Sequence, residues 1–306
     1  KRRTGRRAVV FLLVALLASL AAACRMPPFN PDLSLERAGV DDSGSNGSDP
    51  SAPAPTRFLL FQGGNSDNTV LFDAELMTVT SGPSPARLVG PYAEARRVGS
   101  GPREGEYWIL FDNGRWTTFF DPDTVGFNAG PDLSESFDRN SHSWIVSSGP
   151  HAGKIMVYIG GDIGVTASER YVPAINALEA SPPDTGEPGG SGPHTHSFVE
   201  PLTDRRVIIL AQSATATDAL VYDPGTDNFP ATATFLAAAQ AGPGSHSIPH
   251  DDGTVRVILG GGTQDTEVFD PLSGLFTSTA VFPISLGAGA HSFPIQGGPN
   301  DGEYLI

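Results

Sequence analysis

Apolar residues in this chain gather in short dense runs at near-regular intervals: RFLLFQGG (57–64), YWILFDNG (107–114), KIMVYIGG (154–161), RVIILAQS (206–213) and RVILGGG (256–262). Nearly continuous apolar positions, rather than alternating ones, predict strands covered on both faces. After each run comes a second pattern, LFDAELMTV (71–79), FFDPDTVGF (119–127), RYVPAINAL (170–178), VYDPGTDNF (221–229) and VFDPLSGLF (268–276). An aromatic and an apolar residue seven positions later flank a polar turn: Phe72/Val79, Phe120/Phe127, Tyr171/Leu178, Tyr222/Phe229 and Phe269/Phe276. Asp at the start of such a turn caps local backbone N–H groups, Pro presets φ, and a later Gly or Asn tolerates positive φ. Each pattern therefore predicts an antiparallel hairpin.

A third element precedes four of the dense runs: NSHSWIVSSGP (140–150), PHTHSFVEP (193–201), GSHSIPHDDG (244–253) and GAHSF (289–293), each opening on a His-Ser pair. The second unit carries YAEARRVGSGP (92–102) there, and its spacing to Pro102 aligns Glu94 with His142 and His291. Successive hairpin aromatics are 48, 51, 51 and 47 residues apart. A repeat of about 50 residues with four strands per unit predicts a β-propeller. The expected fold is all-β, with four-stranded antiparallel blades over residues 57–306. About five blades are present, the first with three strands, plus a partial one from GEYLI (302–306), which matches GEYWI (105–109). Six or seven blades are expected in the intact protein.

The histidine-bearing first strand, the strand ending in diglycine and the aromatic-Asp-Pro turn together resemble the kelch repeat and the propeller of the galactose-oxidase superfamily. That resemblance implies a sheet of radially arranged blades with the first strand beside a central channel. It also raises the copper radical oxidases, which need a tyrosine cross-linked to cysteine. The one cysteine here, Cys24, lies far from the propeller in sequence, so that chemistry is not expected.

The N-terminus reads differently. KRRTGRR is a basic segment, AVVFLLVALLASLAAA an apolar one of export length, and both lead to Cys24. Small residues before a lone cysteine resemble the bacterial lipoprotein signal. Residues 1–23 are expected to be a signal peptide and 24–56 a lipidated Cys24 followed by a flexible acidic, Pro-, Ser- and Gly-rich linker. The protein is thus expected in the bacterial cell envelope, exported and lipid-anchored. Losing Lys1, Arg2, Arg3, Arg6 and Arg7 with the signal moves the formal charge from −15 to −20. Such a charge disfavours nucleic acid as a partner.

The sharpest candidate constellation is Glu94, His142, His196, His246 and His291, equivalent positions that ring symmetry would bring to one channel rim. Imidazoles and a carboxylate suit a divalent metal. The competing reading is structural, with each imidazole hydrogen-bonding the backbone of a neighbouring strand; it is favoured because repetition alone explains the spacing and equivalent atoms on a ring stand far apart. No cofactor is expected on that reading. The serines after each histidine, at 143, 197, 247 and 292, have no His-Asp partner implied by spacing. Arg96 and Arg97 are expected to pair with the protein's own carboxylates, His194 to be a solvated loop residue, and Trp108, Trp116 and Trp144 to pack between blades. The loops GNSDN (64–68) and HDDG (250–253) lack the spacing of a calcium loop. The expected function is a non-catalytic module binding protein or glycan. The alternative is an extracytoplasmic carbohydrate-active enzyme, oxidase- or mutarotase-like, with its site at one channel mouth.

Overall fold

The computed structural model describes residues within 57–305, apart from 62–66, 74–75, 91, 113, 139–140, 161–167, 180–194, 201, 212–216, 238–239, 251, 280, 288–289, 291 and 295–303. The first blade is β1 (Arg57–Phe61), β2 (Thr69–Asp73) and β3 (Thr78–Ser81). The second is β4 (Glu94–Arg97), β5 (Tyr107–Leu110), β6 (Thr117–Asp121) and β7 (Gly126–Ala129). The third comprises β8 (His142–Ile145), β9 (Ile155–Tyr158), β10 (Ser168–Val172) and β11 (Ala177–Glu179). The fourth comprises β12 (His196–Val199), β13 (Arg206–Ile209), β14 (Ala219–Asp223) and β15 (Asn228–Ala233). The fifth is β16 (His246–Pro249), β17 (Val255–Ile258), β18 (Thr266–Asp270) and β19 (Leu275–Ser278), and a two-stranded pair follows, β20 (Phe293–Pro294) with β21 (Tyr304–Leu305). Every sheet is antiparallel with its strands in chain order. The architecture is a β-propeller, and it reproduces the expected three-stranded, four-stranded and partial units.

The dense runs form β1 in the first blade and the second strand of each four-stranded blade, and the two faces of β9 and β13 serve two different junctions. Ile155, Val157 and Ile159 pack with Trp108, Leu110 and Phe119 of the preceding blade. Met156 and Tyr158, alternating with them, pack with Ile208, Leu210 and Tyr222 of the following one. Val207 and Ile209 then meet Val255, Val257 and Leu259. Period-two geometry sends successive side chains to opposite faces, so a strand with neighbours on both sides has no polar face to offer. That is why the runs are continuous.

The hairpin aromatics extend the same packing. Phe72, Phe120, Tyr171 and Phe269 stand directly across from Val79, Phe127, Leu178 and Phe276. Tyr222 and Phe229 lie with ring centroids 5.4 Å apart at a register shift between Val221 and Asp223. Pro230 follows Phe229 in β15; it has no N–H for the ladder, and a bulge absorbs the loss. Three of these rings also reach back to the preceding blade: Tyr171 stacks on Trp108 at 4.8 Å, Tyr222 meets Trp144 at 5.7 Å and Phe269 meets Phe198 at 5.6 Å.

Turn chemistry follows the expected pattern at four hairpins. Asp73, Asp121, Asp223 and Asp270 accept backbone N–H groups from Leu76, Asp123, Gly225 and Leu272. One turn position is left-handed in all five blades: Met77, Val125, Asn176, Asp227 and Gly274. Gly and Asn were the residues expected there; Asn176 and Gly274 conform, and Met77, Val125 and Asp227 depart from it. Packing of the flanking hairpin arms holds the turn geometry the same in every blade.

At the opposite end of the first strands, Gly149 (φ +74°) lies against the next blade's turn, where an added Cβ would sit 2.0 Å from the Pro224 carbonyl oxygen. Gly260, at the exit of β17, lies equally close to the backbone of Pro243 and Ser245. Gly260 therefore serves close backbone approach between the dense strand of the fifth blade and the segment that carries His246.

Phe269 is fully buried and belongs to a junction rather than to one sheet. Phe269→Ala is expected to destabilise the protein by about 3–5 kcal/mol, read as a lowered urea midpoint.

Candidate functional site

The first strands β4, β8, β12 and β16 carry Glu94, His142, His196 and His246 at their first positions. Each is followed at once or nearly so by the residue that the neighbouring blade uses. The His142 ring lies with Nε2 2.8 Å from Ser197 Oγ, one blade on. His196 Nε2 lies 2.9 Å from Ser247 Oγ, again one blade on. Glu94 obeys the same rule: its Oε2 accepts from the backbone N–H of Ser143 at 2.8 Å and from its hydroxyl at 2.6 Å. The repeated residue therefore clasps the serine of the following blade. The expected partner was backbone; the observed partner at His142 and His196 is the serine side chain, because the first strands are near enough for side chain to meet side chain. His246 Nδ1 bonds the Gly244 carbonyl oxygen at 2.9 Å, a backbone contact within its own segment.

Two arginines join this belt. Arg96 pairs with Glu94 Oε2 at 3.0 Å and donates through Nε and Nη2 to the Ser143 carbonyl oxygen at 3.0 and 2.6 Å. It thus pairs with the protein's own carboxylate as expected, whereas Arg97 is exposed. Arg206, at the start of β13, donates from Nη1 to Ser197 Oγ at 2.7 Å.

The second unit differs from the rest in having a carboxylate where the others have imidazole. Glu94 Oε1 lies 2.8 Å from His142 Nδ1, so the carboxylate touches both members of the following His-Ser pair. Burial by itself would raise the Glu94 carboxyl. The His142 ring, the Arg96 guanidinium and the Ser143 hydroxyl outweigh burial and bring it down to about 2.

The candidate residues do not converge on a metal. Among the described residues, no three His, Cys, Asp or Glu side chains are grouped to hold an ion. The belt runs along a line of junctions, each spanning two or three side chains. His291, His194 and Cys24 lie outside the described residues.

Of the tryptophans, Trp108 and Trp144 pack between blades as expected. Trp116 does not. It is 43% exposed, with the Arg87 guanidinium 4.4 Å from its ring centroid. It lies beyond the dense strand, where no neighbouring sheet covers it. Where the two acidic loops are described, Asp67 accepts from Ser84, 17 positions on, and Asp252 accepts from Thr254 within a local turn.

Sequence reasoning missed Arg206, Glu169 and Glu267. Glu169 accepts the Ser134 N–H at 2.6 Å and its hydroxyl, and Glu267 accepts the Ala237 N–H at 2.6 Å. Each carboxylate sits on a third strand and fastens the segment that links the preceding blade to its own. Their shared place, second residue of β10 and of β18, is the signal that could have found them.

No protein-family model and no curated protein matches the sequence. Solved structures match in fold. Kuenenia stuttgartiensis hydrazine synthase is 11% identical with a TM-score of 0.49, over 69% of this chain and 59% of that one. Dihydro-heme d1 dehydrogenase NirN in complex with DHE is 11% identical with a TM-score of 0.50, over 75% of this chain and 45% of that one. The chain thus spans less than two thirds of either. The likeness to the second is one of propeller fold alone.

A carboxyl held at about 2 when folded and near 4.5 when unfolded favours the folded state above the unfolded value. That contribution is lost as pH falls from about 4.5 toward 2, on the order of 3 kcal/mol at full extent. Urea midpoints of the wild type are expected to drop through that window, and Glu94→Gln is expected to flatten the step while lowering stability at neutral pH.

Proposed function

We propose that this protein is a kelch-like propeller, exported and held in the bacterial cell envelope by a lipidated Cys24, that binds protein or glycan as a scaffold module. The observation that carries the reading is how the two kinds of side chain are divided. The repeated polar residues are engaged blade to blade, with His142 and His196 each bonded to a serine of the next blade. The large apolar side chains left exposed include Leu76, Ile175 and Leu272, at 68%, 67% and 84%. All three stand on the last hairpin turn of their blades, β2–β3, β10–β11 and β18–β19, and equivalent turns of a propeller share one rim. These aliphatic side chains, on the first, third and fifth blades, are apolar groups that the turns offer to a ligand rather than to a core. The acidic body favours a neutral or basic ligand over nucleic acid.

Two outcomes are expected. Cys24→Ser should abolish incorporation of labelled palmitate and release the protein from the membrane fraction; retention of both label and membrane association would remove the anchor from the reading. Replacing Leu76, Ile175 and Leu272 together by Asp should leave the thermal melt within a few degrees of wild type, since surface changes cost little, and should lower binding by at least about tenfold for ligands found by glycan array or by pull-down from envelope extracts. A wild type that binds nothing in either screen, or a triple variant that binds as well as wild type, would refute the rim as the binding surface.

A further inference from the structure

One junction of the polar belt carries more than a clasp. Glu94, His142 and Ser197 come from three successive blades and lie in line: carboxylate oxygen to Nδ1 at 2.8 Å, then Nε2 to Oγ at 2.8 Å. This is the order and spacing of an acid-base-nucleophile relay. We propose that Ser197 is a nucleophile for acyl transfer from small carboxylic esters, with His142 as its base and Glu94 orienting the ring. This goes beyond rim binding and would add an activity at the inner strands.

The hydrogen-bond directions are determined by the partners. Arg206 has only donors to offer, so its 2.7 Å contact makes Ser197 Oγ an acceptor. Oγ keeps its hydrogen and a second lone pair, so the direction at Nε2 is set from the other side of the ring: the Glu94 carboxylate can only accept, which in the neutral imidazole leaves the Nε2 lone pair facing the Ser197 hydroxyl. The ring hydrogen falls on Nδ1, facing Glu94. Glu94 Oε2 is occupied by the Ser143 N–H, the Ser143 hydroxyl and Arg96, which leaves Oε1 for the imidazole. Arg206 also puts a fixed positive charge beside Ser197 Oγ, which favours loss of the hydroxyl proton to the base. Ser197 is half-buried rather than sealed in the core.

The neighbouring junction supplies an internal contrast. His196 meets Ser247 in the same way, at 2.9 Å, but at its Nδ1 stands the Ser245 hydroxyl, 3.3 Å away, in the place Glu94 takes at His142. The repeat accounts for the His-to-Ser contact; a carboxylate stands behind the ring at His142 and a hydroxyl at His196.

In the proposed reaction, Ser197 Oγ bonds to the ester carbonyl carbon as its proton passes to His142 Nε2, and the carbonyl π pair moves onto oxygen. Collapse breaks the bond to the alkoxy group, which leaves as the alcohol with the proton from His142. Water then attacks the acyl-serine with the same base, releasing the carboxylic acid and restoring Ser197. The net change is ester plus water to acid plus alcohol.

The test is labelling of the folded chain with a fluorophosphonate probe, mapped by peptide mass spectrometry, beside turnover of p-nitrophenyl acetate. An adduct on Ser197 with none on Ser247 is expected. Glu94→Gln should slow labelling by about 10³- to 10⁴-fold, and Ser247→Ala should leave it unchanged. Absence of a Ser197 adduct in folded wild type, or equal adducts on Ser197 and Ser247, overturns the proposal. The wild-type comparison of the two serines stands even where the Glu94 variant fails to fold, and either result leaves the rim-binding reading to its own experiment.

Discussion

Burial of one strand between two neighbouring sheets is the interaction on which the remainder of this molecule depends. In the third and fourth blades the second strand is buried throughout, and its alternate side chains belong to different interfaces: Ile155 and Val157 to one, Met156 and Tyr158 to the next. Apolar burial of this kind is worth about 25 cal/mol per Å², and it is spread evenly along the row of blades rather than concentrated in one central core. All five buried clusters are junctions. The polar contacts lie at the margins of these junctions and set how the blades align, while the apolar contacts hold them together.

Seen this way, the polar belt follows from the packing. Once second strands are sandwiched, the first strands of adjacent blades run close beside one another, and each must satisfy its polar side chains against the next. A histidine reaching a serine solves this with two small groups and can be copied in every repeat. Replacing one histidine by Glu94 changes the electrostatics of a single junction: it introduces a charge that Arg96 balances and that His142 meets with a hydrogen bond. A repeat protein departs from its own pattern at few places, and chemistry specific to one site is most readily sought where it does.

Much of the fold was legible in the chain because it is written in short-range terms. Continuous apolar runs report double-sided cover, Asp-Pro turns report hairpins, and the interval between them reports the number of strands. The pairing of Phe120 with Phe127 or Phe269 with Phe276 needs no more than that. Packing of Trp108 and Trp144 between blades was legible, but their partners were not, since Trp108 and Tyr171 are 63 positions apart and meet only through the sheet stacking. The candidate site was legible by half. The equivalence of Glu94 with the histidines could be read from spacing, but its contact to His142, 48 positions on, and that of His142 to Ser197, 55 positions on, depend on the offset between blades. Trp116 was misjudged because its type suggests burial while its place, past the end of a dense strand, leaves it outside the stack. Met77 and Val125 occupy left-handed turn positions that their own preferences oppose, which no local rule would assign to them.

The backward reach of the hairpin rings bears on how the chain is assembled during synthesis. Trp108 waits for Tyr171, Trp144 for Tyr222 and Phe198 for Phe269, so a blade that has just emerged keeps an oily flank until its successor arrives. Folding is then a relay with vectorial order, and its most vulnerable moment recurs about every 50 residues, when the newest sheet is formed but not yet roofed. A chaperone acting on this protein would have its task at the newest blade, and would be needed afresh with each one.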